Sequence, residues 1–118
     1  RYMRNHVQVV LDRPRHLRFD INAFADAEAL MGGSVLEILG NETGLLRFSV
    51  QRALLWAGLK HEDPSLTPQK VGILMQEHLT KGHSLTDLMK AVNDGILASG
   101  LISEPKEGDN GNPPPASA

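Results

Sequence analysis

"GLLRFSVQRALLWAGL", residues 44–59, decides how the rest of the chain is arranged. Placed at steps of about 100°, Leu46, Val50, Ala53, Leu54 and Ala57 fall in one sector and Phe48, Leu55 and Leu59 in the opposite one. Polar residues keep only a narrow strip, chiefly Arg47 with Gln51. A helix that is apolar on two sides is buried on two sides. The pattern predicts a central helix from about Gly44 to Gly58, around which the other elements pack.

Downstream, Gly58 with Leu59-Lys60 reads as a helix end, where Lys60 and His61 suit the negative pole of the dipole. Glu62 and Asp63 lead into Pro64, and a residue before proline avoids the α region. Thr67 as N-cap and Pro68 at the first helical position start the next helix. His61, Glu62 and Asp63 therefore read as a turn, because consecutive residues in a turn seldom converge on a metal ion. Trp56 lies at the border of the apolar sector, one turn after Arg52, which predicts a half-buried ring with an arginine at its edge.

Residues 68 to 80 gather Val71, Leu74, Met75, His78 and Leu79 on one helical face, with His78 as a core or boundary histidine. His78 and His83 are five apart, which is not the spacing of one helical face. Ser84 with Asp87 forms a capping-box pattern for a last helix. That helix places Leu85, Leu88, Met89, Val92 and Ile96 inward and Asp87, Lys90 and Asp94 outward. Gly100 ends it, and Leu101-Ile102 is expected to fold back as a cap contact.

Upstream, "HVQVVLDRPRHLRFDI", residues 6–21, alternates as a β-hairpin. Val7, Val9 and Leu11 share one face, Leu17 and Phe19 share another, and Asp12-Arg13-Pro14 supplies the turn. Two strands alone are marginal, so the hairpin must pack on the helices. Asp20 or Asn22 caps a helix with Phe24, Ala27 and Met31 on one side, ended by Gly32-Gly33, and Ser34 caps a short "VLEIL" piece closed by Gly40-Asn41. The expected fold class is α+β, mostly α: a hairpin on four to five helices, residues 1–102. Residues 103–118, without a large apolar side chain, read as a disordered tail.

Composition limits function. A chain of 118 residues fits one domain, and 41% hydrophobic with 4% aromatic residues builds an aliphatic core with little stacking surface for bases or sugars. The absence of cysteine excludes disulfides, a thiolate nucleophile and cysteine zinc sites. No apolar run approaches the roughly 20 residues of a membrane span, and no signal-peptide core is present, so a soluble, cytoplasmic protein with no membrane partner is expected. Five arginines precede residue 19 against Asp12 alone, while the remaining residues are net acidic. No nucleophile elbow, P-loop, dinucleotide fingerprint or zincin motif occurs, and no two carboxylates are placed as an acid/base pair. We therefore expect no enzyme, no cofactor and no metal. The rival reading is a helix-turn-helix DNA-binding regulator over residues 68 to 98, but the exposed side of its second helix sets Asp87 and Asp94 against Lys90 and would repel DNA. No nucleic-acid partner is expected.

Taken in order, "LRFDINAFADAEALMGGSVLEIL", "LRFSVQRALLWAGLKHEDPSLTPQKVGILM" and "LTDLMKAVNDGILASGL" resemble the tail assembly chaperones of long-tailed bacteriophages and gene transfer agents. The resemblance covers residues 7 to 102. "LLWAGLKHEDPSLTPQKVG", residues 54–72, is its most specific part, because tryptophan, glycine, acidic turn and threonine restart occur together. The resemblance implies a chaperone of the host cell cytoplasm, absent from the finished virion, that keeps the tape measure protein and the major tail tube protein soluble until virion assembly. It also implies a longer frameshifted form in some members, for which "GNPPPASA" is a suitable position. For partner binding the sequence offers Trp56 and Arg52 as anchors, Met31, Met75 and Met89 as adaptable apolar surface that reads equally as plain core, and Arg13 and Arg15 for steering. Self-association as a homo-oligomer is left open.

Overall fold

A computed structural model describes residues 6–102. Strands β1 (His6–Val10) and β2 (Pro14–Arg18) pair antiparallel from His6↔Arg18 to Val10↔Pro14. Pro14 opens its strand at the end of the ladder, where its missing N–H costs least. Val9, Leu11, Leu17 and Phe19 are buried as the alternation requires. Arg15 has the parity of Leu17 and Phe19, so it too points inward.

Helix α1 (Ile21–Met31) starts where the Asp20 carboxylate accepts the Ala23 N–H at 2.9 Å, and stops at Gly32, whose φ of 75° suits only glycine well. Phe24, Ala27 and Met31 are buried on its inner side. Ser34 caps the short α2 (Val35–Leu39), and the Glu28 carboxylate accepts the Val35 N–H at 2.7 Å.

The central helix begins later than its apolar pattern predicts. Gly44–Leu46 is a separate 3-10 turn, Arg47 is extended, and α3 runs Phe48–Leu59. Because the chain is not one continuous helix across residue 47, the angular phase does not carry back to Leu46, which is 68% exposed. Phe48, 71% exposed, occupies the first helical position, beyond the point where neighbours cover that side. Gln51, placed in the expected polar strip, is buried, and its amide donates to the Leu45 carbonyl at 2.7 Å, tying the turn to the helix. Farther along, Val50, Leu54, Leu55 and Leu59 are fully buried. The helix packs against β2, α1 and two later helices, so the two-sided burial holds from residue 50 onward.

Gly58 lies one residue inside the end of α3, at Leu59 with Lys60 as its cap, where the sequence places the helix end. Its role is space: a Cβ there would stand 2.8 Å from Leu17 Cδ2 and 2.9 Å from Phe19 Cζ. Helix α4 (Pro68–Thr80) is capped by the Thr67 hydroxyl, which accepts the Lys70 N–H at 3.1 Å. It buries Val71, Met75 and His78, leaves Leu74 half-buried and leaves Leu79 exposed. Helix α5 (Leu85–Ser99) buries Leu88, Ala91, Val92, Gly95 and Ile96, with Leu85 and Met89 half-buried. Ser84 holds the N-cap position, yet its hydroxyl makes no cap hydrogen bond, so the expected capping box is not formed. At Gly95 a Cβ would stand 3.0 Å from the Phe19 ring, so glycines of α3 and α5 together make the slot for that ring. Phe19 also stacks on Phe24, centroids 5.3 Å apart. Leu101 and Ile102 pack against the core after Gly100, as expected. The architecture is thus α+β and mostly α, the hairpin lying across α3 and α5. No described helix is long and apolar enough to cross a membrane. The expected tail, residues 103–118, lies outside the described residues.

Candidate functional site

The break before α3 turns Phe48 outward onto a groove between α3 and α4. Phe48, Ser49 and Arg52 form one wall. Gly72, Met75, Gln76 and Leu79 form the other, and Leu85 closes one end. The groove encloses about 360 Å³ and is open along one side. Among the described residues that line it, Arg52 alone is charged. The arginine stem lies across α4 where there is no side chain: a Cβ at residue 72 would stand 3.3 Å from Arg52 Cδ. This placement suits a binding surface, since an arginine stem covers apolar surface while its head stays in water.

The sequence-predicted site residues do not converge here. Arg52 and Met75 line the groove, with Met75 buried as its floor. Met31 is core, and Met89 is half-buried against the core. Trp56 is half-buried, as its position in the sequence predicts, but its indole N–H donates to the Leu66 carbonyl at 3.2 Å. The cation at its ring is Lys60, 4.8 Å from the centroid and also paired with Asp26, in place of the expected Arg52. Arg52 instead leans toward α4. The aromatic that does border the groove is Phe48, which its pattern had assigned to a buried face.

Arg13 and Arg15 differ from the solvated steering pair that their composition suggests. Arg15 is only 4% exposed; Nε and Nη2 donate to Asp12 at 2.8 and 3.0 Å, and Nη1 donates to Asp63 at 3.4 Å. Arg13 is exposed and sits 3.8 Å from Asp63. The turn after α3 is where both lead. Glu62 accepts the His16 backbone N–H at 3.0 Å and lies 2.8 Å from His16 Nδ1, while His61 Nε2 donates to the His16 carbonyl at 3.0 Å. His61, Glu62 and Asp63 are thus a turn, as read from the sequence, and also a polar latch holding β2 to the helices.

The latch and the neighbouring His6, whose ring lies 5.5 Å from that of His61, hold groups whose titration is coupled to folding. Hydrogen bonds from Arg15 hold the Asp12 carboxyl below its ordinary range, and the Ser65 hydroxyl, with Arg15, does the same for Asp63. Partial burial pulls Glu62 upward, but the His16 hydrogen bonds and nearby histidine charge outweigh it, leaving Glu62 low. Burial, then the charges of His61, Arg18 and His16, lowers His6 from its ordinary 6.5. All four groups take up protons more readily in the unfolded chain. Their stabilisation is therefore present above the unfolded values and lost as pH falls through the folded ones. The melting temperature is expected to fall from pH about 6.5 downward through His6, and further below about 4.5 as the carboxylates are titrated. His6→Gln should flatten the first part and Glu62→Gln the second. A melting temperature that rises between pH 7 and 5 would contradict this account of the latch.

A second recess of about 300 Å³ lies between β1 and the α4–α5 turn, where Gly82, at φ 94°, folds the chain back. The turn brings the His78 and His83 rings to 4.8 Å, so their five-residue separation does not keep them apart. His78 is buried, and its Nε2 has no hydrogen-bond partner among the described residues; it stands 3.8 Å from Asp87 Oδ2. No three histidine, aspartate or glutamate side chains among the described residues are arranged to hold a metal ion. Fold and groove together define a small α+β domain with an open apolar surface bordered by Arg52, which has no partner among the described residues. No family model, curated protein or solved structure matches the chain.

Proposed function

We propose that the protein is a bacteriophage tail assembly chaperone that binds the tape measure protein, the tail tube subunit or both in the host cytoplasm and keeps them soluble during assembly. The resemblance over residues 7 to 102 suggests the role. The observation that carries it furthest is the groove, where Phe48, Leu79 and Leu85 leave apolar surface for a client beside the adaptable floor of Met75. Such a surface is suited to holding a helical chain that would otherwise aggregate. The helix-turn-helix alternative finds less support: on the outer side of α5, Lys90 is paired with Asp94 at 2.9 Å and Asp87 is exposed, which leaves little positive charge for a phosphate backbone.

Co-expression with the tape measure and tail tube proteins of the same gene cluster tests the proposal. At least one is expected to move into the soluble fraction and co-purify with the chain. If both stay equally insoluble with and without it, and neither co-purifies, the reading fails.

A further inference from the structure

The groove carries more information than its apolarity. Its α4 wall is formed at positions 72, 75, 76 and 79, the i, i+3, i+4, i+7 spacing of one helical face, and this runs about 10 Å along the helix axis. A trough of that length between two helices accepts about two turns of a third, which would seat apolar residues at the same spacing.

Charge fixes which end of the trough takes an acidic group. Arg52 stands opposite Gly72 at the start of the α4 stripe, and Leu79 with Leu85 closes the far end. The guanidinium makes no hydrogen bond or ion pair among the described residues, whereas Arg15, which lines another recess, is paired with Asp12 and Asp63. Gly72 is what allows the arginine stem to lie flat, so the head is held at the groove wall. An arginine fork held beside an apolar trough matches a carboxylate, which accepts two parallel hydrogen bonds. A neutral or basic segment would leave that cation partly desolvated and unpaired.

We infer that the groove receives one amphipathic helical segment of a partner chain, seated by apolar residues toward Leu79 and Leu85 and by a glutamate or aspartate, one to two turns away, paired with Arg52. The identity of that partner as a tail protein rests on the chaperone reading; the chemistry of the segment does not. Phe48, at the mouth, covers the segment's outer apolar side. The acidic α5 surface, with Asp87 and Asp94, lies outside the lining and does not oppose a carboxylate at Arg52.

The test uses the full 118-residue chain and a labelled, end-capped amphipathic peptide of about four helical turns. The peptide has leucines at i, i+3 and i+7 and a single glutamate one turn before the first leucine or, in a second peptide, one turn after the last; glutamine and lysine versions accompany both. In one of the two placements, fluorescence anisotropy is expected to show the glutamine peptide binding about tenfold more weakly than the glutamate peptide. Arg52→Gln should abolish that preference, Arg52→Glu should transfer it to the lysine peptide, and Phe48→Ala should weaken all three. Both positions are exposed, so melting temperatures should stay at the wild-type value. Equal affinity for glutamate and glutamine peptides in both placements, or a preference that survives Arg52→Gln, overturns the inference. So does a dimer in sedimentation that Phe48→Ala dissociates, since a second copy would then be the occupant. If the peptide results hold while neither tail protein co-purifies, the groove chemistry stands and the chaperone reading falls. If a tail protein co-purifies equally with wild type and Arg52→Glu, the chaperone reading stands and this site falls.

Discussion

Leu54→Ala is expected to lower the unfolding free energy by about 2–5 kcal/mol, the range for truncating a fully buried leucine without collapse of the site. Leu54 has no exposed surface and lies in α3, which touches β2, α1, α4 and α5. The lost methyls would leave a void bounded by several elements at once, so no single element can shift to fill it. Domains of this size hold about 5–15 kcal/mol in total, so the variant should be partly unfolded well below the wild-type transition. Urea denaturation followed by helical circular dichroism measures the difference. A loss under about 1 kcal/mol would show that α3 is not the element on which the others depend.

The ease of reading that core from the sequence has a physical cause. Val50, Leu54, Leu55 and Leu59 recur at helical spacing, and a helix interior is indifferent to what happens beyond its ends. The caps at Asp20 and Thr67 and the glycine stop at Gly100 are equally local, since each needs only its own side chain or backbone to act. What was missed depended on contacts made across the fold. Gly58 marks the helix end correctly, yet nothing local says that its absent side chain also accommodates Leu17 and Phe19, which are some forty residues away in the chain. Leu46 and Phe48 fit the helical wheel well and are nevertheless outside, because the 3-10 turn breaks the phase on which the wheel depends.

The groove was half legible. Arg52 and Met75 were named from residue type, but nothing local says that α3 and α4 leave a trough between them or that Trp56 is turned to the Leu66 carbonyl. Arg15 is legible in principle, since it shares the parity of Leu17 on β2 and of Phe19 just beyond it, although its charge by itself points to solvent. Its burial needs carboxylates on both sides, and one of them, Asp63, arrives from the turn after α3.

Gly44→Ala should be the second large perturbation, and it bears on the groove directly. A Cβ at residue 44 would stand 1.9 Å from the Ile38 carbonyl oxygen and 2.8 Å from the carbonyl carbon. The obstacle is backbone, so no rotamer change relieves it, and α2 must separate from the 3-10 turn. Overpacking of this kind costs about 1–3 kcal/mol, and the upper part of that range is expected where only a backbone shift can help. The same turn delivers Arg47 and Phe48 to the start of α3 and is tied to it by the Gln51 amide at Leu45. Its displacement should therefore reduce both the melting temperature and the binding of an apolar client. Phe48→Ala provides the comparison: the ring is mostly exposed, so its removal should change stability by less than about 0.5 kcal/mol while client binding still falls. Thermal melts and client co-purification on the two variants separate the effects. A Gly44→Ala protein that melts with wild type would mean that the turn does not press on Ile38, and the outward placement of Phe48 would then need another cause.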